Sequence, residues 1–229
     1  LFTGKQYRSV VEKGITQTVY TLETAERLST AAEELGREAQ VFVKVDTGLN
    51  RVGVRYTEAA VLIEEINGLP GVNVRGMFST FQQRPEEDRV ALRRLLAVDE
   101  ELRRRGVEVE YRSMSSSDGV FHNPDGWLDV VRPGISLYGV YPDPKDEASG
   151  LKLRQALQLK ARVEYVKWVE AGESVTYWGR FIAPKRMRIG TLHLGFYDGI
   201  PREMANKGKV LVDGQIKQSL GSVSLNHYL

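Results

Sequence analysis

Cysteine is absent from the chain, which excludes disulfides and thiolate metal sites. Histidine is nearly absent: His122, His193 and His227 are scattered and show no metal-ligand spacing. No apolar run approaches the ~18 residues of a membrane helix, so no membrane partner is expected. Neither sign of charge dominates. A net charge of +2 is too small to argue for nucleic acid or an anionic membrane, and the basic residues form no block. No signal peptide is visible and Leu1 is not an initiator methionine, so the chain reads as cytoplasmic and as beginning partway into something. What is present is ordinary: 41% hydrophobic and 27% charged residues match a soluble globular protein. A length of 229 residues allows one large or two modest domains.

Two regimes follow one another. From about Thr16 to Tyr138, β-branched runs alternate with helical patterns. Thr18–Leu22 reads as a strand, followed by Leu22, Ala25, Leu28, Ala32 and Leu35 at helical spacing, with Gly36 as a stop. Val41–Asp46 and Val74–Ser79 are the next strands. A helix with Thr57 as its cap separates them, and an amphipathic helix from about Glu86 to Arg104 follows. Val107–Ser115 and Leu128–Tyr138 read as the last two strands. This alternation predicts parallel βα units of a (β/α) barrel. A complete barrel typically needs ~250 residues, so residues 1–141 are expected to form only its last strands. That partial barrel is expected to be poorly soluble and to expose apolar side chains such as Val19 and Val43. Residues 142–156 have a linker's polar, proline-containing composition. From 157 to 229 the pattern is alternating and short, with Asp213-Gly214 as a hairpin turn, and predicts an incomplete, mostly antiparallel β domain.

Three segments carry candidate chemistry. Val43-Lys-Val-Asp-Thr-Gly-Leu-Asn-Arg-Val-Gly53 places Lys44, Asp46 and Arg51 at a strand's carboxyl end, where barrel active sites lie. The same residues read equally well as a structural charge cluster. In Asp129–Gly139, Gly134 and Ile135 offer backbone N–H groups and Arg132 a permanent charge, while Ser116 sits in the preceding loop. That set suits a phosphate dianion, although Pro133-Gly134 also reads as a plain turn. Gly172-Glu-Ser-Val-Thr-Tyr-Trp-Gly179 puts Tyr177 on a β-domain strand, where a tyrosine is ordinarily a core or rim residue.

Taken in order and spacing, these segments resemble alanine racemases. The likeness runs from Thr18-Val-Tyr-Thr-Leu-Glu23 through Lys44–Arg51, Val131–Gly139 and Gly172–Tyr177 to Asn206–Gly214. It implies a barrel that binds pyridoxal 5'-phosphate, a C-terminal β domain, and a head-to-tail homodimer whose β domains complete each other's sites. It implies interconversion of L- and D-alanine, an isomerase activity that supplies peptidoglycan precursors. By position, Tyr177 is the base for one face of the substrate α-carbon, and Arg132 holds the pyridine nitrogen. Ser116, Gly134 and Ile135 hold the phosphate. Arg51 orients the substrate carboxylate, Leu225 contacts substrate, and Lys44 is the lysine that is often carbamylated.

The departures are specific. Thr80 stands where the family usually has a histidine stacked on the cofactor ring, Phe196 replaces a tyrosine and Asn226 an aspartate. The lysine that carries the cofactor and serves the other face has no match among these residues, so the chain alone is expected to be inactive. Two further readings remain: a racemase of another amino acid on the same scaffold, and a non-catalytic homologue that binds the cofactor weakly.

Overall fold

A computed structural model describes residues 4–229, with side chains from residue 6 onward. It divides into two compact units, one running to residue 157 and the other from 158 to 229.

The first unit is built from α1 (Gly4–Glu12), β1 (Gln17–Val19), α2 (Leu22–Leu35), β2 (Ala39–Asp46), β3 (Val54–Arg55), α3 (Ala59–Asn67), β4 (Val72–Phe78), α4 (Pro85–Arg104), β5 (Tyr111–Ser113) and α5 (Ser117–His122). Local chemistry sets the helix ends. The Thr21 hydroxyl accepts the Thr24 N–H at 3.3 Å and starts α2, and Gly36, at φ 58°, closes it in the left-handed region. Pro85 opens α4, with Glu86, Glu87 and Asp88 in its first turn and Arg103 and Arg104 in its last, matching the helix dipole.

The strands pair in parallel in the order β1-β2-β4-β5, with β3 beside the carboxyl end of β2. The sequence's alternation becomes a division of faces. Ala39, Val41, Val43 and Val45 share a core with Ala25, Leu28, Ile63 and Leu95 of the helices. Full burial of each large aliphatic side chain contributes about 1.5–3 kcal/mol. The intervening Gln40, Phe42, Lys44 and Asp46 line the other face. Phe42 stacks on Tyr111 with centroids 6.2 Å apart and meets Phe78 edge-on at 6.4 Å. The expected exposure of Val19 and Val43 is therefore overturned: both are 0% exposed, because they face the helices and not the barrel interior.

The expected strand at Leu128–Tyr138 is also corrected. Asp129 and Val130 donate N–H groups to the Arg112 carbonyl of β5, and Arg132 to the Ser115 carbonyl just beyond it, but no ladder forms. Leu128 at φ 51° breaks the extended backbone at one end. Pro133, with no N–H to donate, breaks it at the other, and Ile135–Tyr138 closes as a 3-10 turn. Farther on, the 3-10 turn Pro144–Ser149 is held by His122. Its ring nitrogens lie 3.0 Å from Asp118 and 2.8 Å from Asp146 carboxylate oxygens. Burial disfavours the imidazolium, but the two carboxylates together outweigh it and raise the His122 pKa.

The second unit contains β6 (Val163–Val169), β7 (Ser174–Val175), β8 (Phe181–Ile182), β9 (Met187–Leu192), β10 (Lys209–Val212) and β11 (Gln215–Gln218). They pair antiparallel as β6-β9, β7-β8 and β10-β11. Asp213 (φ 48°) and Gly214 (φ 75°) make the two-residue turn between β10 and β11. Val169, Val175, Ala183 and Ile189 form one small core, and Leu192, Val223 and Tyr228 another. Tyr177 is not on a strand: β7 stops at Val175 and Tyr177–Gly179 is a 3-10 turn. The architecture is a partial (β/α) barrel followed by an antiparallel β domain. Among the described residues no helix is long and apolar enough to cross a membrane.

Candidate active site

Lys44 lies near the carboxyl end of β2, Thr80 follows β4, and Ser116 follows β5. Arg132 joins them from the segment beside β5. The Thr80 hydroxyl is the hub. It donates to the Ser79 carbonyl at 2.7 Å and accepts from Lys44 Nζ at 3.2 Å and Arg132 Nη2 at 3.3 Å. Arg132 also donates from Nη2 to the Ser79 carbonyl at 2.6 Å and from Nη1 to the Ser113 hydroxyl. The Phe78 ring lies 4.8 Å from Lys44 Nζ and 4.7 Å from the Arg132 guanidinium carbon. Such contacts favour cations weakly.

These are one buried and one half-buried cation held mostly by neutral acceptors, and among the described residues neither makes an ion pair. Burial brings the Lys44 pKa down from 10.5 to about 8, with Arg132 and Arg51 adding repulsion and Asp46 offsetting part of it. Burial likewise lowers that of Arg132 to about 10. Arg51 therefore belongs electrostatically to the cluster. Its loop is fixed by the Asp46 carboxylate, which accepts the Gly48 and Asn50 N–H groups at 2.9 and 3.1 Å. Arg94 holds the Thr47 carbonyl at 2.8 Å.

An uncompensated buried ammonium lowers stability. Lys44 is 4% exposed, and its shift corresponds to about 3 kcal/mol. The sign follows from the lowered folded-state pKa: below pH 8 the lysine is charged folded and unfolded, and the folded state bears the full cost. As pH rises from about 8 to 10.5 the cost disappears. Lys44→Met is expected to raise stability by about 1–3 kcal/mol near pH 7, an advantage that shrinks by pH 10. Denaturant titrations at both pH values check this; destabilisation at pH 7 would make Lys44 a structural residue.

Ser116 precedes α5 without capping it. The buried Ser117 hydroxyl accepts the Gly134 N–H at 2.8 Å and the Ser136 N–H at 3.3 Å, which brings Gly134 and Ile135 beside the serines. The run Ser113-Met-Ser-Ser-Ser117 advertised this hydroxyl-rich strand end, yet sequence reasoning singled out only Ser116 and missed Ser113, Ser117 and Ser136.

In the second unit, Tyr177 is 65% exposed, the opposite of a packing tyrosine. It borders a pocket of about 470 Å³ lined by Thr176, Thr191, Ser224, His227 and Leu229. Leu225, in the same strand-free stretch as Ser224, is exposed. The backbone around Tyr177 is strained. Thr176 lies at φ 64°, ψ −171°, a region almost confined to glycine, and Trp178 at φ 62°. Thr176 is held there because its hydroxyl accepts the Ser222 N–H at 2.7 Å, while the Ser222 hydroxyl donates to the Tyr177 carbonyl at 3.3 Å. A Cβ at Gly221, itself at φ 68°, would stand 2.1 Å from the Thr176 hydroxyl oxygen. Gly221→Ala is expected to cost the β unit ~3 kcal/mol, read as a lowered urea midpoint. An unchanged midpoint would mean the turn is not fixed in this way.

Parallel βα units with polar side chains gathered at the strand carboxyl ends, followed by an antiparallel β domain, define a barrel-plus-β-domain protein of the kind that works at that rim. Comparison with known proteins narrows the class. The family model "Alanine racemase, N-terminal domain" matches residues 1–142, and "Alanine racemase, C-terminal domain" matches 156–229. The chain belongs to the alanine racemase family. It is 33% identical to the alanine racemase of Desulforamulus reducens, over 96% of this chain and 61% of that protein. It is 34% identical to that of Clostridium perfringens, over 95% and 58%. Among solved structures, the alanine racemase of Clostridium difficile 630 superposes with a TM-score of 0.90 at 30% identity, covering all of this chain and 61% of that one. A histidine racemase from Leuconostoc mesenteroides shares the fold with a TM-score of 0.87 at 24% identity. The chain spans about three fifths of the length of these relatives.

Proposed function

We propose that these residues belong to a pyridoxal 5'-phosphate-dependent racemase that interconverts L- and D-alanine. The observation that carries this reading is the pair of buried Lys44 and half-buried Arg132, two cations without a carboxylate partner among the described residues at the carboxyl rim of the barrel. Such a site is completed by an anion. The donor set beside it fits the cofactor: Ser116, Gly134 and Ile135 suit the phosphate, and the buried Ser136 hydroxyl oxygen has no partner among the described residues. Arg132 would hold the pyridine nitrogen as a donor that does not surrender its proton. Thr80, smaller than the family's usual histidine, would border the ring. Arg51 would orient the substrate carboxylate, helped by carbamylation of Lys44, whose lowered pKa supplies the neutral amine this modification needs.

When bound, the cofactor withdraws electrons from the substrate α-carbon and acidifies its proton. Tyr177 would then move that proton on one face, Leu225 would border the substrate, and a second copy of the chain would bring the two units together head to tail. The lysine for the opposite face has no match among these residues, so the 229 residues by themselves are expected not to turn over. The test is circular dichroism of L-alanine incubated with the protein as its gene encodes it, with the cofactor supplied. Decay of the signal to zero supports the reading, and decay with another L-amino acid but not alanine would reassign the substrate. A constant signal with all of them would overturn it.

A further inference from the structure

We infer that His122 is a proton-operated clasp: its imidazolium holds the turn Pro144–Ser149 against α5, and loss of the ring proton releases that turn. The inference does not depend on the cofactor reading above. The geometry is specific. Nδ1 lies 3.0 Å from the Asp118 carboxylate, one turn back on α5, and Nε2 lies 2.8 Å from Asp146 Oδ1 on the 3-10 turn. A neutral imidazole has one N–H and one lone pair. It can satisfy only one of these carboxylates and turns its lone pair on the other. Only the imidazolium donates to both.

The turn has little else to anchor it. From residue 144 to residue 157 the only buried residue is Asp146, so an otherwise exposed stretch is fastened by a carboxylate and not by an apolar side chain. The two oxygens of Asp146 have separate partners. Oδ2 accepts the Asp143 N–H at 3.0 Å and shapes the turn, while Oδ1 faces His122. Phe121 of α5 meets Tyr141 edge-on with centroids 5.9 Å apart, a contact that does not titrate and lies before the turn. Opening is therefore local to the turn and the residues after it.

The surrounding charges favour the proton. Asp118 and Asp146 face the ring from α5 and from the turn, and among the described residues neither has another cation. Asp88 of α4, whose pKa burial raises and the Asp118 charge raises further, adds a third carboxylate nearby. Lys145 and Glu147, on either side of Asp146, are exposed. Burial opposes charging of the ring, but the two carboxylates outweigh it and hold the folded pKa above 6.5. The stabilisation is thus complete below the ordinary 6.5 and is lost as pH rises through the raised folded value.

The test uses the protein as its gene encodes it. Lys145, Lys152 and Arg154 are exposed trypsin sites on the segment, and cleavage there, located by mass, reports opening. Wild type and His122→Gln are compared at about pH 6 and about pH 9, on either side of the histidine range. Taking the ratio at each pH cancels the protease's own pH dependence. Wild type is expected to be cut at least about 5-fold more slowly than the variant at the lower pH and equally fast at the higher one. The His122 ring signal, followed by NMR, should titrate above 6.5 and move down in Asp118→Asn, which leaves the turn's own hydrogen bonds intact. Equal cleavage of wild type and His122→Gln at the lower pH would overturn the inference. So would protection that persists unchanged at the higher pH, or a His122 that titrates at or below 6.5.

Discussion

In the protein as its gene encodes it, Tyr177→Phe is expected to lower racemisation of both L- and D-alanine by about 10²–10⁴-fold while leaving fold and cofactor binding intact. That range is what a positioned proton-transfer group ordinarily contributes. Both directions fall together because each needs a proton removed on one face and returned on the other. Among the described residues the hydroxyl makes no hydrogen bond whose loss would loosen the turn: Thr176 and Ser222 fix it through other atoms. The ring, largely exposed and 6.0 Å from Trp178, is kept. A tyrosine that merely packs would give near-normal rates in the variant. Rates within about threefold of wild type, a difference under 1 kcal/mol in barrier height, would remove Tyr177 from the mechanism.

Arg132→Lys should be nearly as damaging, by a different route. The guanidinium spans the Ser113 hydroxyl, the Ser79 carbonyl and the Thr80 hydroxyl at once. An ammonium cannot reproduce that planar fork. Each charge-assisted hydrogen bond lost is worth about 1.5–3 kcal/mol, so cofactor affinity should fall by roughly 10–100-fold, with a shifted absorbance spectrum of the bound cofactor. Because the Ser79 carbonyl lies in the barrel rim, a small loss of thermal stability should accompany it. Wild-type cofactor affinity in this variant would show that Arg132 braces strand ends and does nothing more.

The parallel βα order was legible because hydrophobic period and punctuation agreed. The run Val41–Asp46 predicted β2, which begins two residues earlier at Ala39, Gly36 ended α2 as read, and Asp213-Gly214 made its turn. What failed depended on partners that a sequence does not display. Val19 and Val43 were expected to be exposed because alternation tells which residues share a face, not which face meets the helices. Leu128–Tyr138 has a strand's composition, yet Leu128 in the left-handed region and Pro133 without an N–H prevent a ladder. Tyr177 was placed on a strand because nothing in Val175-Thr-Tyr-Trp signals a β-branched residue at φ 64°. That conformation exists only because Ser222 and Gly221, some 45 residues on, hold it.

At the candidate site, single residues were legible and their couplings were not. Lys44, Arg51 and Arg132 stood out as charges at strand ends. That Thr80 joins two of them through one hydroxyl depends on the parallel pairing of β2 with β4, which sets Lys44 opposite Phe78, two residues before Thr80. Likewise, Ser116 was singled out from its position alone, whereas the bonds from the Gly134 and Ser136 N–H groups to the Ser117 hydroxyl depend on how the 3-10 turn folds back against α5.

In the proposed racemase, Tyr177 of the β unit and Arg132 of the barrel would act in one site, contributed by different copies of the chain. Mixing Tyr177→Phe and Arg132→Lys proteins, each as its gene encodes it, in equal amounts, at a cofactor concentration that saturates wild type but leaves Arg132→Lys largely unloaded, and under conditions where subunit exchange is demonstrated by mass, tests it directly. Random pairing gives about half mixed dimers, each with one wild-type site out of two, so racemisation should return to about one quarter of the wild-type rate. No recovery despite proven exchange would contradict the account, because the two residues would then belong to separate sites or to a site within a single copy.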